Sequence, residues 1–278
     1  MTTRSPLVVT LDGKVAAPGE PFVAIDDPMV ARGAGVFETL LLRAGVPCLL
    51  AAHLERLAGS SAIVGLPPPD AARWRAAVAV ACDRWPDADD AVMRLVSGRA
   101  TGFVMVSELP ARVVQARGHG VSAVTVDRGL PAAPGAGWSI AGAKSLSYGI
   151  YAAALRHAER LGAGDAVLVS SDGFVLEGPR SSVVVLDRDG VLLTPPTTLP
   201  ILPGITARAL FDVARGRGVS CVERSLRIAD LEAAHGVWLV SSVTLAARVH
   251  TLDARPLDTT PPMIDVPALI DEAMAARP

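Results

Sequence analysis

The chain has 278 residues, 50% of them hydrophobic, and a formal net charge of −2 at pH 7. This length suits one large domain or two domains of ordinary size, each with enough apolar content for a core. The balanced charge offers no basic face for nucleic acid, and polar residues interrupt every apolar stretch before it could span a membrane. Three widely spaced cysteines argue against a disulfide framework or a metal site, so we expect a cytoplasmic protein without a metal.

The first part of the chain predicts a lobe of mixed strands and helices. Glycine-containing turns between apolar runs indicate hairpins, and apolar residues at helical spacing indicate helices. Asp70 follows three prolines and is expected to cap a helix. In chain order the predicted elements are hairpins over residues 7–16 and 36–50, helices over 53–64 and 70–84, and strands near 92–96 and 103–106.

The second part predicts another α/β lobe after a segment rich in proline, glycine and alanine at residues 129–137. Its predicted elements are a helix over 148–161, hairpins over 166–176 and 183–193, a helix over 205–217, and strands at 219–222, 237–241 and 249–252. We therefore expect a small N-terminal lobe at 1–118, an interdomain crossing at 119–137 and a C-terminal lobe at 138–278.

Lysine is scarce: only two of the 26 lysine and arginine residues are lysines, Lys14 and Lys144. Lys14 lies in a predicted hairpin turn, whereas Lys144 lies among small residues just before a predicted helix. Arginine keeps its proton in proteins, but a partly buried lysine can lose it and form a Schiff base. Chance retention is the alternative. The pattern predicts covalent chemistry at Lys144.

Four other polar features accompany this lysine. Glu177 ends a predicted strand, where a carboxylate is either solvated or paired with a ligand cation. The helix that begins at residues 203–206 presents free amides and Thr206 to an anion, although most such helix starts bind only water. Three hydroxyl side chains lie within residues 241–244. Arg56 can reach a phosphate with its planar guanidinium, or can be a surface partner of His53.

Together these residues supply the groups that a pyridoxal 5′-phosphate (PLP) site requires. Lys144 would hold the cofactor aldehyde, and Glu177 would keep the pyridine nitrogen protonated. Arg56, the helix start and the hydroxyl-rich turn would neutralise the phosphate. The sequence therefore predicts PLP as the cofactor.

The order of these motifs resembles the fold-type IV PLP enzymes, which include branched-chain and D-amino acid aminotransferases and aminodeoxychorismate lyases. The resemblance covers nearly the whole chain. Six segments carry it: Gly-Ala-Gly-Val-Phe-Glu-Thr at 33–39, His-Leu-Glu-Arg-Leu at 53–57, Lys-Ser-Leu-Ser-Tyr at 144–148, Glu-Gly-Pro-Arg-Ser-Ser at 177–182, Leu-Pro-Gly-Ile-Thr at 202–206 and Ser-Ser-Val-Thr at 241–244. It implies a two-lobed α/β (α+β) fold, with a small N-terminal lobe, a larger C-terminal pseudo-barrel and a homodimer.

The resemblance also implies site residues. The catalytic residues are Lys144 and Glu177, and the cofactor contacts are these two with Arg56, Gly204, Ile205, Thr206, Ser242 and Val243. Candidate substrate contacts are Phe37, Thr39, Arg43, Arg99 and Thr244, with Arg94 and Arg180 as further cations for a substrate carboxylate. Two positions depart from the family pattern: Leu41 stands where many relatives carry a cation, and Ser182 where asparagine is common.

Within that family the likeness favours an aminodeoxychorismate lyase, which would eliminate pyruvate from a small-molecule substrate and release 4-aminobenzoate for folate biosynthesis. The alternative is a PLP-dependent aminotransferase of branched-chain or D-amino acids, because both reactions need Lys144, Glu177 and Arg56. A non-catalytic member that binds cofactor or a partner protein is a third interpretation, which the retained Lys144 and Glu177 disfavour.

Overall fold

The computed structural model describes residues 4–17, 19–85, 89–133 and 138–275. The chain divides into two compact units. The first takes the described residues up to Pro110 together with Gly142–Tyr148, and the second takes the described residues of Ala111–Ala141 and Gly149–Ala275.

The described residues of the first unit form three helices and six strands. In chain order these are β1 (Leu7–Thr10), β2 (Val15–Ala16), α1 (Pro28–Arg32), β3 (Val36–Arg43), β4 (Val46–Pro47), α2 (Leu50–Ile63), α3 (Ala71–Arg84), β5 (Ala91–Ser97) and β6 (Gly102–Glu108). The strands make one antiparallel sheet in the order β2-β1-β6-β5-β3-β4. The predicted cap of α3 is confirmed, since the Asp70 carboxylate accepts the N–H groups of Ala72 and Arg73 at 2.9 and 3.2 Å.

Strand β3 separates the core of this unit from its opposite face. Leu40 and Leu42 pack into a core shared with helices α2 and α3. Because alternate residues of a strand face opposite sides, Phe37 and Thr39 lie on the other face. Phe37 packs there against Met29 and other apolar residues in a separate small cluster. The candidate substrate contacts Phe37 and Thr39 therefore lie on the face opposite this core.

The described residues of the second unit form five helices and eight strands. In chain order these are α4 (Ala111–His119), β7 (Val121–Asp127), α5 (Gly149–Arg160), β8 (Asp165–Val169), β9 (Ser182–Leu186), β10 (Leu192–Thr194), α6 (Ile205–Gly216), β11 (Cys221–Glu223), α7 (Ile228–Ala233), β12 (Gly236–Ser241), β13 (Leu245–Leu252), β14 (Arg255–Pro256) and α8 (Val266–Ala275). None of the helices in the described part of the chain has the length and apolar character needed to cross a membrane.

The eight strands of the second unit form a mixed sheet. Its order is β11-β10-β9-β12-β13-β7-β8, with β14 paired to β13. Strands β13, β7 and β8 run parallel, as do β10 and β11, and the other pairs are antiparallel. One sheet face is a continuous valine- and leucine-rich core, and helix α6 buries Leu210 and Phe211. The inner strands are thereby held between hydrogen-bonded neighbours, and β11 and β8 form the edges.

Two predicted boundaries differ from the structure. The second strand of the hairpin predicted over 36–50 ends at Pro47, because Leu49 adopts a left-handed turn and α2 begins at Leu50. The crossing predicted at 119–137 contains strand β7, which pairs with β8 and β13, so residues 121–127 belong to the sheet. Residues 134–137 of that segment lie outside the described part.

The division into units also differs from the predicted lobes. It falls after Pro110 rather than residue 118, because helix α4 packs against β13 of the second unit. The segment Gly142–Tyr148 groups with the first unit although it follows the crossing. The predicted strand at 174–176 is reduced to isolated bridges such as Val169 with Val175. Helices α1, α4, α7 and α8 lacked a recognised sequence signal.

Candidate active site

The lysine segment is anchored to the first unit through its backbone. The carbonyl of Lys144 accepts the N–H of Phe37 in β3 at 2.9 Å, and its N–H donates to Ser60 Oγ of α2 at 3.1 Å. The Lys144 Nζ lies 4.8 Å from the centroid of the Phe37 ring. A strand and a helix therefore fix the backbone of this lysine, while an aromatic ring contacts its amine.

Two glycines allow the lysine segment to approach so closely. A Cβ on Gly35 would lie 2.6 Å from Leu146 Cδ1 and 3.0 Å from the carbonyl oxygen of Ser97. Gly33 adopts a positive φ of 63°, and a Cβ there would lie 2.9 Å from Ser147 Oγ. These contacts explain why the segment at residues 33–35, directly before β3, contains two glycines.

Arg56 is held by a buried carboxylate. Its Nε and Nη2 donate to the two Glu38 oxygens at 2.7 Å each, and His53 Nδ1 lies 2.7 Å from Glu38 Oε2. Burial opposes ionisation of Glu38, but the charge and hydrogen bonds of Arg56 and the contact with His53 lower its pKa to about 2. Burial lowers the pKa of His53 below its usual value despite Glu38. Arg56 thus belongs to a buried ion pair rather than to a surface contact with His53.

The candidate substrate residues of this unit have different surroundings. Arg43 pairs with Asp90 at 3.3 Å. Arg99 is exposed and donates to the carbonyl of Gly65 at 3.5 Å. Arg94 lies directly across from Thr39 in the β3–β5 ladder. Its guanidinium carbon is 5.3 Å from the centroid of the Phe37 ring.

In the structure, Arg94 therefore contacts the same ring as Lys144. Leu41, which stands at the position where many relatives carry a cation, is fully buried. Leu41 offers no charge to a carboxylate at this face, whereas the guanidinium of Arg94 contacts Phe37 there.

In the second unit, neutral donors hold the buried carboxylate of Glu177. The hydroxyl of Tyr151 donates to Oε1 at 2.9 Å, and the N–H of Leu202 donates to Oε2 at 3.0 Å. Glu177 is 6% exposed. The Tyr151 ring packs against the apolar cluster that contains Leu168, and its hydroxyl positions Glu177. Of the two alternatives for Glu177, a carboxylate exposed to solvent is therefore wrong.

The start of helix α6 and the β12–β13 turn bring hydroxyls together. Thr206 Oγ1 lies 3.2 Å from Ser242 Oγ, and Gly204 supplies no side-chain cap to the helix. A Cβ on Gly204 would lie 2.1 Å from Ser182 Oγ, so a larger residue there would require the Ser182 hydroxyl to move. The first turn of α6, with Ile205 and Thr206 buried, thus presents amides and a hydroxyl suited to an anion.

Arg117 of α4 fixes the β12–β13 turn. Its Nε and Nη2 donate to the carbonyl of Val243 at 3.2 and 2.6 Å. Thr244 of the same turn lines a cavity of about 540 Å³, together with Ser241 and Arg180. Arg180 is paired with Asp165 at 3.1 Å. This contact gives Arg180 a partner within its own unit.

Each unit holds groups of the types that PLP requires. The first holds a lysine amine and an arginine fork, and the second holds a carboxylate and an amide–hydroxyl cradle. These are the donor types that suit an aldehyde, a phosphate and a pyridine nitrogen, so the residues present fit PLP. Among the described residues, no group of three or more acidic, histidine or cysteine side chains is placed to hold a metal ion.

The sequence matches a family model over residues 35–252, and that family is the class IV aminotransferases. The chain belongs to this family. A bifunctional aminodeoxychorismate lyase / D-amino acid transaminase from Mycobacterium tuberculosis is 53% identical over 97% of this chain and 99% of that protein.

Solved structures agree with this relationship. A hypothetical aminotransferase from Mycobacterium tuberculosis in its PLP-bound form has a TM-score of 0.94 and 54% identity, covering 97% of this chain and 99% of its own. Its α-ketoglutarate and PMP bound form has a TM-score of 0.93 and 54% identity, covering 96% and 98% of the respective chains.

These findings confirm the predicted family, the two-lobed fold-type IV architecture and PLP as the cofactor. The sequence did not reveal the supporting contacts of four residues, which are Glu38, His53, Arg117 and Tyr151. A signal existed for Glu38, since a glutamate inside an apolar strand needs a cationic partner when it is buried.

Proposed function

We propose that this chain is a 4-amino-4-deoxychorismate lyase, which eliminates pyruvate to give 4-aminobenzoate for folate biosynthesis. The observation that carries the proposal is the 53% identity, over 97% of the chain, to a protein whose name includes this lyase activity. The candidate residues support it because elimination needs a proton acceptor and a held cofactor, and Lys144, Glu177 and Arg56 are suited to these tasks.

Lys144 is proposed to hold the cofactor and then to move the proton. When bound, PLP supplies an aldehyde for amines and a ring that accepts electrons from the substrate. A neutral Nζ of Lys144 would take the proton from the amine-bearing carbon of the substrate. The C–O bond on the adjacent carbon would break, and the enolpyruvate that leaves would take up a proton to become pyruvate. A positioned base of this kind contributes about 10²–10⁴-fold to the rate.

The remaining residues are proposed to bind and orient. Glu177 would keep a proton on the pyridine nitrogen, supported by its hydrogen bonds from Tyr151 and Leu202. Arg56 and the first turn of α6, with Ser242 and Val243, would bind the phosphate. Phe37 and Arg94, which contact each other beside Lys144, would meet the substrate and its carboxylate. Thr39, Arg43, Arg99 and Thr244 stay candidate substrate contacts.

An assay of both products tests the lyase. Purified protein with PLP is given enzymatically generated aminodeoxychorismate, and 4-aminobenzoate and pyruvate are followed together. Equal appearance of the two products, abolished in Lys144→Ala, is the expected result. Substantial turnover by Lys144→Ala would remove the central role of this lysine.

The second candidate function is transamination of D-amino or branched-chain amino acids. Two observations favour it: the 53% identical relative is also named a D-amino acid transaminase, and a solved relative is described with PMP and α-ketoglutarate bound. A keto acid formed from an amino donor panel, without 4-aminobenzoate from aminodeoxychorismate, would establish this function instead. Formation of both kinds of product would indicate a bifunctional enzyme.

The setting of the reaction is also a proposal. The three cysteines Cys48, Cys82 and Cys221 are free, which suits a reducing cytoplasm. A homodimer is proposed from the family resemblance. Light scattering of the purified protein tests the homodimer directly.

A further inference from the structure

A buried cluster ties β3 to α2 in the first unit. Glu38 is fully buried, and its two carboxylate oxygens accept from Arg56 Nε and Nη2 at 2.7 Å each. His53 Nδ1 lies 2.7 Å from Oε2, and the His53 side chain is 1% exposed. His53 and Arg56 are three residues apart on α2 and so lie on the same helix face. We call these three residues the Glu38 cluster.

Stability alone does not account for the Glu38 cluster. Removing two charges from water carries a penalty that their attraction often only balances, and apolar side chains of similar volume commonly stabilise a protein as well or better. The geometry instead restricts one side chain: two parallel hydrogen bonds fix the plane of the Arg56 guanidinium. The buried Glu38 carboxylate is therefore suited to hold Arg56 in one orientation.

The same two elements also fix the lysine segment. The N–H of Phe37, which precedes Glu38 in β3, donates to the Lys144 carbonyl. Ser60 Oγ, one helical turn after Arg56 in α2, accepts the Lys144 N–H. The Glu38 cluster therefore joins the strand and helix that hold the Lys144 backbone. Arg56 and Lys144 share one rigid frame in this unit.

We propose that Glu38 is a positioning residue for the cofactor phosphate: it holds Arg56 in its binding orientation, and His53 in turn orients Glu38. This inference rests on the assignment of Arg56 to the phosphate in the proposed function. An arginine that is already oriented loses less conformational freedom when it binds an anion, so binding is stronger. Glu38 acts through Arg56 and touches neither substrate nor cofactor.

The test compares PLP with pyridoxal, which lacks the phosphate. The PLP-free full chain is titrated with each compound, and the dissociation constant is read from the visible absorbance of the bound form. Glu38→Gln is expected to raise the dissociation constant for PLP about tenfold, the size of one hydrogen bond to a charged group. The constant for pyridoxal is expected to stay at the wild-type value. Equal weakening of both compounds would show a merely structural role and overturn the proposal.

A double variant tests whether Glu38 acts through Arg56. Arg56→Ala should weaken PLP binding, and adding Glu38→Gln to it should weaken binding no further. Independent losses that multiply in the double variant would overturn the proposal. If Glu38→Gln does not fold, Glu38→Asp replaces it, because its shorter carboxylate keeps the charge but cannot reach the fork in the same geometry. It is expected to show the same phosphate-selective loss, and unchanged PLP binding in it would contradict the proposal.

Asp27→Asn is the matched control. Asp27 is a buried carboxylate of the same unit that accepts from the Met29 N–H and the Thr101 hydroxyl, at 2.8 and 2.7 Å. Its substitution is expected to lower the melting temperature and leave the ratio of PLP to pyridoxal affinity unchanged. If Arg56→Ala binds PLP normally, the phosphate assignment itself fails. If Arg56→Ala is weak and Glu38→Gln is normal, only the positioning role fails.

Discussion

The two units each contain a buried carboxylate, and the donors around the two differ in charge. Glu38 in the first unit receives charged hydrogen bonds from Arg56 and lies against His53. Glu177 in the second unit receives hydrogen bonds from a phenol and a backbone amide, both neutral. Both side chains are nearly or fully buried. The donors named for the two carboxylates therefore differ in kind.

This difference separates a positioning role from a ligand-binding role. The positive charge of Arg56 compensates that of Glu38, whose pKa is lowered to about 2. A phenol and a backbone amide donate to Glu177. A carboxylate of this kind is suited to pair with a protonated ring nitrogen, since a cation favours the charged form of a buried acid. The structure of each cluster thus supports the role that we propose for it.

Replacing Glu177 should have the largest effect on activity. Glu177→Gln keeps the size of the side chain but removes the charge that would hold a proton on the pyridine nitrogen. We expect kcat to fall by about 10²–10³-fold, comparable with the loss of one electrostatic contact in an active site. Steady-state kinetics at saturating PLP measure the change. A decrease below threefold would exclude the proposed partnership with the ring nitrogen.

Because of the Glu38 cluster, the free energy of unfolding should decrease as the pH is lowered. The folded-state pKa of Glu38 is about 2, below its ordinary 4.5, so its contribution is complete above about pH 4.5 and is lost as the pH falls toward 2. Its size is on the order of 3 kcal/mol. His53 has a lowered pKa from burial, so its contribution also declines below its ordinary value of 6.5. Urea unfolding measured between about pH 7 and pH 3 gives the free energy of unfolding at each pH and so reports the contributions of both Glu38 and His53.

Glu38→Gln supplies the comparison for this pH dependence. It should be less stable at neutral pH by about 3–5 kcal/mol, because Arg56 loses its buried partner, and should lose less further stability in acid. An unchanged decline in Glu38→Gln would mean that other carboxylates dominate the acid response.

Substitution of Arg94 should act mainly on substrate binding. Its guanidinium lies over the Phe37 ring that also contacts Lys144, so we expect Arg94→Ala to raise KM for a carboxylate substrate about tenfold. Arg43→Ala is the comparison, because Arg43 pairs with Asp90. A larger rise in KM for Arg43→Ala would assign the substrate carboxylate to Arg43. Steady-state kinetics of both variants decide between the two cations.

Local sequence signals predicted much of the fold and of the chemistry. Asp70 as a cap and the start of α6 at Ile205 depend on neighbouring residues alone, and the structure has both. The supporting contacts are not local. Glu38 and Arg56 are 18 residues apart, and Tyr151 and Glu177 are 26 apart.

These contacts form only when a helix packs in one particular position against a segment distant in the sequence, and no short sequence pattern specifies that position. The placement of Lys144 in the first unit was missed for the same reason. Its segment is held by backbone hydrogen bonds to Gly35 and Phe37, and a backbone bond leaves no mark on residue type beyond the glycines that permit it. Residue types in the sequence thus predicted which groups suit a PLP site, but they did not predict the contacts that orient those groups.

Tyr151→Phe should give the smallest of these effects, and it reports directly on the contacts that orient Glu177. The variant removes one hydrogen bond of 2.9 Å to a carboxylate and keeps the ring that packs against the apolar cluster containing Leu168 and Leu176. A hydrogen bond to a charged group contributes about 1.5–3 kcal/mol, but a second donor remains, so we expect kcat to fall only about fivefold with little change in KM. The Leu202 amide still donates to Glu177, so the carboxylate keeps part of its orientation. In a Glu177→Gln background the same substitution should have little further effect on kcat, because the carboxylate that it orients is gone. A full fivefold loss in that background would show that the Tyr151 hydroxyl serves something other than Glu177.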